Sequence, residues 1–205
     1  PFFLNNAKEP GAKELFAKIL TLFTGAASLV FVVLTFTIQD IIRIPLPFKG
    51  YIIGEQYWGG VIIVPIVLLA YLFLGIYTNL IAGVYIEKKT KYLPFITGLG
   101  AMLNIASALL LIPVWGITGS ALSTLISYVA MAVYIYFVSQ KFYPVKYELS
   151  KVLIILGINI AAILIFFNTF GLLGLPARIA AAVILCTGII YTAQLYKAKM
   201  LFSKK

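Results

Sequence analysis

The chain has 205 residues, 62% of them hydrophobic and only 11% charged, whereas soluble domains carry about a quarter charged residues, so an ordinary soluble fold is excluded. Its formal net charge is +10, but no basic patch is interleaved with aromatic residues on a soluble module, which argues against a nucleic-acid partner. With no histidine and a single cysteine, Cys186, the chain cannot build an internal disulfide, a zinc constellation or a His-dependent nucleophile pair.

Six apolar segments run approximately over residues 19–42, 61–86, 92–112, 117–138, 152–171 and 177–196. Each has about the 20 residues that a helix rising ~1.5 Å per residue needs to cross a hydrocarbon core. The expectation is an all-α integral membrane protein, one membrane domain over residues 1–205, with the lipid bilayer as its first partner. The basic residues alternate between connections. Lys8, Lys13 and Lys18 precede the first segment, and Lys88, Lys89 and Lys91 lie between the second and third. Lys141, Lys146 and Lys151 lie between the fourth and fifth, and Lys197, Lys199, Lys204 and Lys205 follow the sixth. Only Arg43, Lys49 and Arg178 fall on the other side. The positive-inside rule then places both termini in the cytoplasm, in a multi-pass cytoplasmic-membrane topology.

In chain order, residues 1–14 read as an interfacial lead-in, with turn signals at Asn5-Asn6 and Glu9-Pro10-Gly11. The first apolar run follows a charged stretch and is too long for the h-region of a cleavable signal peptide. Its helix begins near Ala12, where Lys13 and Lys18 can extend their amines to water. It ends at Asp40 and Arg43, whose i, i+3 spacing allows a pair on one face. That pair reads either as an interfacial ion pair or as a gating or coupling element.

Prolines 45 and 47 stop the helix, and Tyr51, Tyr57 and Trp58 suit an aromatic belt in the outer connection. The second helix carries Pro65 in its first half, followed by Tyr71, Tyr77, Thr78 and Asn79. A kink is expected at Pro65, either simply tolerated or part of a mobile cavity-lining helix. The third helix presents Gly100, Asn104, Ser107 and Leu111 on one stripe and is expected to end at Pro113. After Val114 and Trp115 the fourth begins, with small positions Gly116, Ser120, Ser123, Thr124 and Ser127 at helical spacing. Small residues permit close backbone approach in lipid, so these two helices should form an antiparallel hairpin with the Gly116/Ser120/Thr124 edge packed. Asn104 reads as a packing and hydrogen-bonding residue in preference to a substrate contact. The fifth and sixth helices, with Gly157, Asn159, Asn168, an alanine run at 180–182 and Gly188, read as scaffold.

Of six carboxylates, only Asp40 lies near the hydrocarbon zone, so a buried acid–base pair is not expected. Gly116-Ile117-Thr118-Gly119 lacks the lysine and strand context of a phosphate-binding loop. No enzyme activity, metal or cofactor is expected.

The run Lys88-Lys89-Thr90-Lys91, Gly98 to Asn104, and Leu111-Ile112-Pro113-Val114-Trp115-Gly116-Ile117-Thr118-Gly119-Ser120-Ala121 resembles the C-terminal part of the polysaccharide flippases, in the multidrug/oligosaccharidyl-lipid/polysaccharide exporter superfamily. Thr90, Asn104, Pro113, Gly116, Gly119, Ala121 and Thr124 match the family pattern, while Ser120 and Ser123 replace its usual alanines. Tyr57, Pro65, Ser139-Gln140-Lys141 and Tyr143-Pro144 extend the likeness, which covers residues 57–148. The resemblance implies six transmembrane helices forming one lobe of a two-lobe flippase-type bundle, completed by an N-terminal lobe or a partner subunit. It implies alternating-access translocation of an oligosaccharide on a polyprenyl diphosphate carrier, in cell-envelope polysaccharide synthesis. Candidate packing or cavity-lining residues are then Pro65, Asn79, Asn104, Ser107, Pro113, Gly116, Gly119, Ser120, Thr124 and Ser127. A drug or other lipid exporter of the same superfamily, and a non-transporting subunit of a glycan-assembly complex, are the alternatives.

Overall fold

The computed structural model describes residues 11–45 and 50–194. The lead-in over residues 1–10, Pro47 and Lys49 of the outer connection, and the tail lysines lie outside the described residues. Helix α1 spans Ala12–Ile42. A 3-10 segment, Glu55–Ile63, leads into α2, Val64–Ile86. A 3-10 turn at Thr90–Tyr92 precedes α3, Leu93–Phe142, and then come α4, Leu149–Thr169, and α5, Leu175–Ala193. Among the described residues, five helical runs are long and apolar enough to cross a membrane. Helix is the form that lets such apolar segments satisfy every backbone polar group internally.

The longest run, α3, is broken at Gly116, where φ is 53° and ψ −127°. A left-handed φ of this kind is available to glycine without a side-chain clash. The two limbs fold back on one another. Ser127 Oγ donates to the Gly100 carbonyl at 2.7 Å, although 27 residues of straight helix would separate them by about 40 Å. The expected hairpin is therefore present, but its first limb continues through Pro113 and breaks three residues later. Proline removes one helical hydrogen bond, yet the reversal itself needs the conformation that only Gly116 supplies.

Helix α1 is the hub, packing against α2, α4 and α5, while the hairpin packs on α2. Phe31, Val32 and Phe36 of α1 meet Leu69 and Leu72 of α2, Ile155 and Ala162 of α4, and Ile189 of α5. Toward the start of α1, Leu20 joins Ile76, Leu80 and Val84 of α2 with Ile96, Met131 and Ile135 of the hairpin. Ala12 and Phe16 gather with Tyr143 and Val145 at that end, and Ile42, Val61 and Phe166 meet at the opposite one. The start of α1, the end of α2 and both open ends of the hairpin thus share one end of the bundle. Eight described lysines, at 13, 18, 88, 89, 91, 141, 146 and 151, belong to it.

Pro65 does not interrupt a formed α-helix. It sits in the first turn of α2, buried, where the chain changes from 3-10 to α geometry. The first N–H groups of an α-helix have no intrahelical partner, so the proline ring starts α2 where a mid-helix kink was expected.

Candidate functional site

The hairpin carries most of the residues singled out in the sequence. Gly119 and Ser127 are buried between its limbs, and Gly100 faces them from the first limb. A β-carbon on Gly119 would collide with the Leu111 carbonyl, and one on Gly100 with the Met131 sulfur. The limbs therefore touch backbone to backbone at Gly119, beside the turn, while farther along the Met131 and Ser127 side chains rest on Gly100, as small residues allow in lipid. The packed edge is Gly119, Ser123 and Ser127; Gly116 and Ser120 are exposed and Thr124 is half-buried. This corrects the expected Gly116/Ser120/Thr124 edge by roughly one helical residue, or 100° of rotation.

Most hydroxyls in the bundle are committed to their own helix. Thr21 and Thr24 donate to Ala17 and Leu20 carbonyls. Ser107 bonds Leu103 and Asn104 carbonyls, and Ser123 and Thr124 both bond that of Ser120. Asn79 Nδ2 likewise donates to Gly75 O at 2.9 Å. Back-bonding of this kind satisfies a polar group where no water is available and leaves little for a ligand. Of the named residues, Asn104, half-buried, and Ser120, exposed, carry side-chain polar groups with no partner among the described residues. Pro113 is exposed near the hairpin turn.

Two polar links between helices were missed. Asn159 of α4, wholly buried, donates from Nδ2 to Ser28 Oγ of α1 at 2.6 Å. Its Oδ1 has no hydrogen-bond partner among the described residues. The second link joins α1 to α5. Arg178 Nη1 lies 3.0 Å from Asp40 Oδ2, Nη2 donates to Oδ1 at 3.1 Å, and Nη1 also reaches Gln39 Oε1 at 3.2 Å. Asp40 therefore pairs across helices with Arg178 and not with its neighbour Arg43, which lies 4.9 Å from the Trp58 ring centroid. The fork of donors on a guanidinium matches a carboxylate better than a single local contact does. Helices α4 and α5 are thus tied to α1 by specific polar chemistry. Only the unusual presence of Asn159 and Arg178 in apolar segments could have signalled this.

At the basic end, Gln140 grips the loop before α4, donating to the Val145 carbonyl at 2.6 Å and accepting from its N–H at 3.1 Å. Burial pushes the Tyr147 phenol up to about 12. Burial also acts to raise the Glu148 carboxyl. The hydrogen bond from Lys151, with the charges of Lys151 and Lys18, outweighs it and holds the group below the usual carboxylate range.

Between α1 and α2 runs an apolar groove of about 290 Å³, lined by Phe23, Ala27, Val30, Phe31, Leu68 and Tyr71 among others. Its walls offer dispersion contacts and one phenol. Comparison with known protein families, curated proteins and solved structures finds no match for the chain.

Proposed function

We propose that the chain is one lobe of a membrane transporter that flips a lipid-linked oligosaccharide across the cytoplasmic membrane by alternating access. The observation that carries the reading is the hairpin. Gly116 and Gly119, both in the run that resembles polysaccharide flippases, are the residues its turn and its closest backbone contact require. Counting its limbs as separate crossings gives six, with the lysine-rich end cytoplasmic by the positive-inside rule. The uncommitted amide of Asn104 and the apolar groove between α1 and α2 suit weak sugar and lipid-chain contacts. The second lobe would come from an N-terminal segment or a partner subunit.

Proteoliposomes holding the full-length protein, loaded with a polyprenyl-diphosphate oligosaccharide, test this through appearance of the glycan in the opposite leaflet. No transfer above protein-free vesicles would sink the flippase reading. It would favour a non-transporting subunit of a glycan-assembly complex, a reading supported by the many hydroxyls committed to their own helices. Topology is tested separately by cysteine accessibility. Cysteines replacing Lys89 and Lys146 should label from the cytoplasmic side and one replacing Gly174 from outside, and the reverse at residue 146 would overturn the orientation.

A further inference from the structure

The lysines of the basic end are not equivalent. Lys151 pairs with Glu148 at 2.7 Å, and Lys18 acts on the same carboxylate. Lys13 lies 5.0 Å from the Tyr143 ring centroid, on the α1 side. Lys89, Lys91 and Lys141 instead converge at the open mouth of the hairpin. The Tyr92 and Phe142 rings meet there with centroids 5.3 Å apart. Lys89 and Lys141 Nζ lie 5.7 and 5.8 Å from the Phe142 centroid, and Lys91 Nζ lies 5.6 Å from that of Tyr92. No carboxylate forms an ion pair with these three amines among the described residues.

The backbone holds this arrangement. Lys88 adopts a left-handed φ of 54°. That lets Lys89 N–H reach back to the Val84 carbonyl at 2.9 Å and Lys88 N–H to that of Tyr85 at 3.1 Å. The closure of α2 thereby turns Lys89 toward the hairpin. Lys89 and Lys141 also complement the negative ends of α2 and α3. Lys91 does the opposite, for it stands just before Leu93, at the positive end of a helix, where a cation is disfavoured. Helix-end complementarity therefore leaves Lys91 unexplained. An anion seated among the three amines would offset its repulsion and use the positive helix end as well.

We infer that the mouth of the hairpin, formed by Lys89, Lys91 and Lys141 around the Tyr92–Phe142 pair, binds the phosphate headgroup of an anionic phospholipid of the surrounding bilayer. The aromatic pair suits headgroup depth, and the lysine stems can lie on the rings while their amines meet phosphate oxygens. Glu87 is an acidic group near this mouth and acts on Tyr143, which leaves the three amines in excess; charge complementarity and location then choose the occupant, since such a cationic cluster at the membrane surface faces phosphodiesters at high local concentration. The inference rests on membrane insertion alone and stands apart from the flippase reading.

The test measures retention of phosphatidylglycerol relative to phosphatidylcholine by the purified full chain, using native mass spectrometry from mixed micelles. The K89Q/K91Q/K141Q triple variant is compared with K13Q/K18Q/K146Q, which removes equal charge from the same end. Each site lysine is worth about fivefold in retention, so the site triple should lose at least tenfold more than the control triple. Equal losses would reduce the effect to general surface charge and overturn the inference. So would absence of phosphatidylglycerol preference in the unaltered chain, or displacement of the lipid by millimolar inorganic phosphate. If the triple variant does not fold, the single variants K89Q, K91Q and K141Q carry the test, each expected to lose about fivefold, and parental retention in all three would overturn it.

Discussion

Gly119 offers a direct test of how the hairpin is held. A β-carbon there would collide with the carbonyl of Leu111 and stand 2.8 Å from Ile112 N, and a backbone cannot swing aside as a side chain can. Overpacking of this kind costs about 1–3 kcal/mol. Separating the limbs also weakens the Ser127–Gly100 bond, at about 0.6 kcal/mol for an average interhelical bond in membranes. Against this, alanine is favoured over glycine inside a helix by up to about 1 kcal/mol. The balance predicts that Gly119→Ala destabilises by about 1–2 kcal/mol. Gly157 of α4 supplies the control, because a β-carbon there meets nothing within 4 Å. Gly157→Ala should keep the propensity gain alone and stabilise by up to about 1 kcal/mol. Reversible unfolding in mixed detergent micelles, followed by circular dichroism, should separate the two variants by about 1–3 kcal/mol. Equal stability of the two would refute a backbone-to-backbone hairpin. Ser120→Ala, at an exposed position, should stay within about 0.5 kcal/mol of the parent.

The interhelical links make further claims. A double-mutant cycle of Asp40→Ala with Arg178→Ala should show coupling of about 0.5–1 kcal/mol, while the Asp40/Arg43 cycle should show none; the opposite pattern would restore the local pair. Ser28→Ala and Asn159→Ala should couple by about 0.6 kcal/mol, up to about 1.7, and strict additivity would mean that their 2.6 Å bond is not stabilising. Tyr147 ionises at about 12 when folded, against 10.0 ordinarily, so its contribution is intact below pH 10 and is lost as pH rises from 10 through 12. Tyr147→Phe should flatten the fall in stability across that window, as read by unfolding at stepped pH, and an unchanged slope would show that the phenol is not held in its neutral form.

The apolar helices and the turn between the hairpin limbs were legible because lipid imposes length and hydropathy, and because a connection as short as Val114 and Trp115 leaves no room for another arrangement. What escaped was partner choice. Asp40 and Arg43 satisfy a local spacing rule, yet Arg178 lies 138 residues away in sequence and brings a guanidinium to the same carboxylate. A single amide such as Asn159 in an apolar helix announces that it needs a partner without naming Ser28. The packed edge was displaced because Gly119 and Ser120 are both small, and only the approach of Leu111 distinguishes them. Pro65 was misplaced for a related reason: the residue carries its ring wherever it stands, but its effect depends on whether α geometry has already begun.

The break at Gly116 also bears on how this protein enters a bilayer. Between Lys91 and Lys141 there is not one charged residue, and the limbs are joined at Gly116, flanked by Pro113, Val114, Trp115 and Ile117. On the proposed topology, the leading tip of the hairpin is this uncharged turn, and pushing it through hydrocarbon requires no ionised group to shed its water. The two limbs can bond to each other through Ser127 and Gly100 while they partition. Lysines at both open ends, held back by the cost of burial, stop the movement at the depth where the turn emerges and Trp115 reaches the far headgroups. On that topology the two limbs cross as a pair led by an uncharged turn, and their inner face then packs on α2.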